Sequence, residues 1–124
     1  MKRLITIFLA LGLGSILVLT GCGSNNSKVS EGVNKMLDTT GQLSKAIDSG
    51  NQAKVKEVGP KLEDQWSTFE DDVKKDNKDL YAKIEKYLDP TIAGSEASPL
   101  NKDALSTLNN QLTNALKELA SKTK

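Results

Sequence analysis

The chain has 124 residues, 17 basic against 16 acidic side chains, one cysteine and no histidine. The missing histidine removes the commonest general base and transition-metal ligand, so Ser-His-Asp and Cys-His triads and ordinary zinc sites are excluded. The lone cysteine forms no internal disulfide, and the near-neutral, mixed-sign balance offers no basic surface for nucleic acid.

The N-terminus has three parts. Lys2 and Arg3 give a positive start, residues 4–19 (LITIFLALGLGSILVL) carry no charge, and Leu19-Thr20-Gly21-Cys22 follows. A basic start, an apolar run and a small-residue cleavage site make a secretory signal. The run is shorter than the ~20 residues of a spanning helix, although a short uncut anchor is the alternative. The Leu-Thr-Gly-Cys tetrapeptide resembles the lipobox of bacterial lipoproteins. That resemblance implies a diacylglyceryl group (and palmitate) on Cys22, cleavage just before it, and a cell-membrane location on the extracytoplasmic face. The expected organisation is therefore a signal peptide over 1–21, a lipidated cysteine and flexible polar tether over 22–28, and a helical domain over 29–124. Removing residues 1–21 discards Lys2 and Arg3 and no acid, leaving 15 basic against 16 acidic side chains. Lipidation would also consume the only thiol. With no imidazole and no motif for a Ser-Lys site, the chain reads as a non-enzyme.

Beyond the tether the pattern is helical, with few aromatics and no sustained period-two alternation. Val29, Val33, Met36, Leu37, Thr40, Leu43 and Ile47 predict a first helix near 29–48, with Gly50 as its stop and Asn51 as the next cap. Gly32 and Gly41 weaken it by about 1 kcal/mol each relative to alanine. Val55, Val58, Leu62, Trp66, Phe69 and Val73 predict a second helix over about 52–75, kinked or broken at Gly59-Pro60. Asp76 or Asn77 caps a third helix through Leu80, Tyr81, Ile84, Tyr87 and Leu88; one unbroken helix across this point is the alternative. Residues 89–100, with two prolines and a Gly-Ser pair, read as a loop. Asn101 caps a last helix with a stripe of Leu105, Leu108, Leu112, Ala115, Leu116 and Leu119. The expected fold is all-α: a small up-and-down helical bundle of about four helices, whose narrow stripes can be buried only against one another.

Charges follow a helical surface. Glu57–Lys61, Glu70–Lys74, Asp71–Lys75, Asp79–Lys83 and Glu118–Lys122 are acid-before-base pairs at i,i+4, each adding about 0.2–0.5 kcal/mol. Asp72, Asp76, Glu85, Asp89, Glu63 and Asp64 lack such partners. Oxygen-only clusters of this kind suit hard cations such as calcium or iron. Trp66 and Phe69 lie on a core stripe; Tyr81 and Tyr87 straddle the third helix and are candidates for a partner surface.

The stretch Trp66 to Glu85, WSTFEDDVKKDNKDLYAKIE, resembles the extracytoplasmic helical domain of bacterial permeases of the high-affinity iron transporter family. The matching frame is Trp66, Glu70, Val73, Tyr81, Ile84 and Glu85, and the leucine-rich helix from Asn101 to Ala120 fits the same domain, so the likeness spans about 52–120. It implies an extracytoplasmic module of iron uptake, with Glu70 and Glu85 as the matched acids and Asp71 beside them as a further metal candidate. The family's membrane helices and Arg-Glu-x-x-Glu motif are absent, so the expected role is an accessory or binding module beside a membrane permease. The alternative is a structural or protein-interaction lipoprotein of the cell envelope, with no metal role.

Overall fold

Three asparagines set the starts of helices. Asn51, Asn77 and Asn101 each accept, through the side-chain oxygen, the backbone N–H three residues on, at 3.1, 3.2 and 3.1 Å. Each satisfies a donor that a helix N-terminus otherwise leaves unpaired. Asn77 also closes the preceding helix, its own N–H reaching Val73 O at 2.7 Å.

The computed structural model describes residues 24–124; the signal segment over 1–21 and Cys22 lie outside the described residues. Six helices follow in order: α1 (Ser24–Asp48), α2 (Gln52–Val58), α3 (Lys61–Trp66), α4 (Glu70–Asp76), α5 (Lys78–Glu96) and α6 (Lys102–Lys122). They form four rungs, because α2, α3 and α4 run on as one interrupted rung. Cross-contacts fix the direction of each. Lys28 meets Asp72 and Gly32 meets Phe69; Trp66 meets Glu85 and Gln52 meets Ser98. Lys83 meets Glu118 and Gly94 meets Leu105; Asn109 meets Thr40 and Lys102 meets Asp48. Neighbouring rungs are thus antiparallel, and the all-α up-and-down bundle expected from the sequence is what the chain forms.

Three boundaries differ from expectation. First, α1 starts at Ser24, ahead of the expected start near residue 29, and Lys28 is paired with Asp72 at 3.4 Å. Second, the second rung breaks twice. Besides the expected break at Gly59-Pro60, it breaks over 67–69, where the Ser67 and Thr68 hydroxyls donate back to Asp64 O (2.9 Å) and Gln65 O (2.7 Å). Such local bonds compete with the helical ladder. Third, α5 runs through Pro90 to Glu96, where a loop over 89–100 was expected. The reason is tertiary: Leu80, Ile84, Leu88, Thr91 and Ser95 form one continuous buried stripe, while Pro90 faces solvent. Burial of that stripe outweighs the missing N–H of Pro90.

The core joins all four rungs, with Val33, Met36, Leu43, Val55, Leu62, Trp66, Ile84, Leu88, Leu112 and Leu116 each at 0% exposure. The buried hydroxyls of Thr39, Thr40, Thr91 and Ser95 each donate to a carbonyl of their own helix, at 3.0, 3.0, 2.6 and 2.6 Å. Gly32 is buried where α1 crosses the Phe69 ring, and a Cβ there would overlap that ring. It therefore positions Phe69 and, through it, Trp66.

Candidate functional site

The interrupted rung and α5 together present an acidic face built on an aromatic base. Trp66 ends α3, Phe69 precedes α4, Glu70 and Asp71 open α4, and Tyr81 and Glu85 lie on α5 one turn apart. The Trp66 and Phe69 rings meet edge to face at 5.2 Å, and Trp66 stacks on Tyr81 at 5.8 Å with 25° between planes. A buried indole N–H needs an acceptor, and Trp66 Nε1 donates to Glu85 Oε1 at 2.5 Å. One oxygen of Glu85 is thereby held against the core.

Glu70 stands beside this pair. Burial, and then the charges of Glu85, Asp71 and Glu63, push its carboxyl above the ordinary carboxylate range; Lys74 works against them. The Tyr81 phenol is likewise raised, first by burial and then by Glu85, Glu70, Asp71 and Asp89. Lys74 does not form the ion pair expected with Glu70; its Nζ lies 5.3 Å over the Tyr81 ring. Of the other i,i+4 pairs expected, Glu57–Lys61 forms at 3.6 Å. Lys83 instead reaches across to Glu118 at 2.6 Å. Asp72, expected to be without a base, has Lys28.

The structure thus brings Glu70, Asp71 and Glu85 into one electrostatic neighbourhood. Among the described residues, however, no group of three or more His, Cys, Asp or Glu side chains gathers closely enough to hold a metal ion. Mutual repulsion among these acids favours a passing cation, but they form no closed coordination cage. Tyr81 and Tyr87 are half-buried and packed against the core, Tyr87 beneath Lys86 at 5.4 Å; neither is a free-standing surface aromatic. Sequence reasoning missed the Trp66–Glu85 bond, whose signal was the obligation of a buried indole N–H to find an acceptor.

Fold and site define a class: a small antiparallel helical bundle with an acidic face over stacked aromatics. Across 90% of its length the chain is 26% identical to the iron uptake system component EfeM of Bacillus subtilis (strain 168), and it spans about a third (33%) of that protein. No protein-family model matches the chain, and no solved structure matches it. No helix among the described residues is long and apolar enough to cross a membrane.

Proposed function

We propose that this chain is a lipid-anchored, extracytoplasmic, non-enzymatic module of an iron-uptake apparatus, working beside a membrane permease. The observation that carries this reading is the likeness to an iron uptake component across nine-tenths of the chain. The acidic face supports it, since clustered carboxylates attract cations electrostatically. Iron is cargo in this reading, and Glu70 and Glu85 supply the attraction. Radiolabelled iron uptake should fall when the chain is deleted from its host, and should recover with the wild-type chain but only partly with a Glu70→Gln/Glu85→Gln double variant. Undiminished uptake in the deletion strain would overturn the reading. Isothermal titration of the full chain with ferric iron and with calcium tests direct binding by the same two residues.

The anchor has its own test. Labelled palmitate should enter the wild-type chain and not Cys22→Ser, which should leave the membrane fraction. A Cys22→Ser chain that remains membrane-bound would favour an uncut N-terminal anchor.

A second reading is an envelope interaction lipoprotein without a metal role, with the half-buried Tyr81 and Tyr87 as part of its partner surface. Photo-crosslinkers at Tyr81 and Tyr87 should then capture an envelope protein even when iron uptake is unaffected by deletion.

A further inference from the structure

The end of the bundle where α1 begins has a charge pattern of its own. Three stretches of chain meet there: the first turns of α1, the corner between α4 and α5, and the last turn of α6. Asn26, Asp76, Asn77, Lys122 and Thr123 line one hollow between them, and Lys28 is paired with Asp72. Residues 24–28, 72–79 and 119–124 carry six lysines against three aspartates. The rest of residues 24–124 carries nine lysines against thirteen acids. At the opposite end, residues 45–52 and 96–103 carry two lysines against three acids. The positive excess therefore belongs to one end of the molecule.

Lys28 and Asp72 neutralise each other, and Lys74 lies over the Tyr81 ring. Lys75, Lys78, Lys122 and Lys124 are exposed and form no ion pair among the described residues. Asp76 and Asp79 stand among them, so the unpaired lysines outnumber the unpaired acids four to two. Helix dipoles account for Lys75 and Lys122, which lie in the last turns of α4 and α6. They do not account for Lys78, the first residue of α5, where the dipole disfavours a cation.

The sequence sets what lies opposite this end. Ser24, which opens α1, follows Cys22 by two residues, and two residues span at most ~7 Å. A lipid on Cys22 therefore draws the lysines toward the headgroups. Attraction between exposed charges persists over ~8 Å in physiological salt, and a bilayer containing anionic lipid attracts lysines held that close. The lipid supplies the attachment, so a few lysines suffice to set the tilt. Repulsion of the acids elsewhere favours the same pose. We propose that this end of the bundle is a docking face for anionic phospholipid headgroups, contacted by Lys75, Lys78, Lys122 and Lys124. The bundle then stands on the membrane, with Glu70 and Glu85 ~10–12 Å above the Asn77 corner. The proposal rests on the lipid anchor at Cys22 proposed above.

The test is energy transfer from a dye on the lipidated full chain to an acceptor lipid in vesicles. Lipidated Cys22 has no free thiol, so one introduced cysteine takes the dye. Ala82→Cys and Ala53→Cys place it at exposed positions near the lysine end and near the far end; α1, which joins these ends, is ~37 Å long. In phosphatidylcholine vesicles containing phosphatidylglycerol, transfer should be severalfold greater from the Ala82→Cys chain than from the Ala53→Cys chain. In phosphatidylcholine alone, or in 1 M salt where screening shortens to ~3 Å, the two should converge. Lys75→Gln/Lys78→Gln/Lys122→Gln/Lys124→Gln changes only exposed positions, and should lose the response to phosphatidylglycerol while keeping the helical signal. Transfer that ignores phosphatidylglycerol, or a quadruple variant as responsive as the wild-type chain, would overturn the docking face and leave the anchor standing. A chain that floats with neither kind of vesicle would overturn both.

Discussion

Glu70 is held by the fold in a setting that favours its protonated form. As pH rises from about 4.5 through the raised folded-state value, the native chain gives up a proton that it binds more tightly than the unfolded chain does. Stability contributed by this group therefore falls with rising pH across that window. Glu70→Gln should raise the melting temperature at pH 7, and the gain should vanish below about pH 4; a melting difference independent of pH would refute the assignment. Gly32 makes the opposite kind of prediction. Gly32→Ala adds a methyl group where Phe69 already lies. It should cost about 1–3 kcal/mol, read as a lower urea midpoint, despite alanine's better helix propensity. The sequence alone makes Gly32 look like a mere weakness in the first helix, because the ring that needs its space is 37 residues away. For the same reason helical spacing reads Glu70 and Asp71 only as i,i+4 partners of Lys74 and Lys75, and it was the resemblance that singled out Glu70 and Glu85; the Trp66–Glu85 bond was legible from neither. Those residues are 19 apart on different rungs, and no local pattern encodes that meeting.

Helix starts were easier to read than helix ends. Asn51, Asn77 and Asn101 announce starts because a short polar side chain can do the capping locally. Pro60 announces a break for an equally local reason. Pro90 does not, since its local penalty is overruled by a buried stripe that passes on either side of it. Pro90→Ala should return a backbone donor to α5 at an exposed position. The ~3 kcal/mol helix penalty of proline, less the ~1 kcal/mol by which proline restrains the unfolded chain, predicts a gain of about 2 kcal/mol. A lower chemical-denaturation midpoint for this variant would show that α5 depends on a bend at Pro90. The second break in the interrupted rung, over 67–69, was also missed, because Leu62, Trp66, Phe69 and Val73 keep helical spacing straight across it and mask the break that Ser67 and Thr68 make.

At the scale of the molecule, α6 lies against both α1 and α5, and the buried side chains of all rungs belong to one cluster. Unfolding should therefore be a single transition, with calorimetric and van't Hoff enthalpies in agreement. Leu116, at 0% exposure on α6, is a sensitive probe of that unity. Leu116→Ala should cost about 2–5 kcal/mol and lower the melting temperature without splitting the transition; a second transition would mean that the interrupted rung melts separately. One further consequence comes from Trp66, the only tryptophan in the chain. Its indole N–H is bound to Glu85, a carboxylate that any cation or basic partner at the acidic face would compete for. The protein therefore carries its own optical indicator. Occupancy that draws Glu85 away should shift the intrinsic emission of this one fluorophore, and a ligand that leaves Glu85 in place should leave the spectrum unchanged.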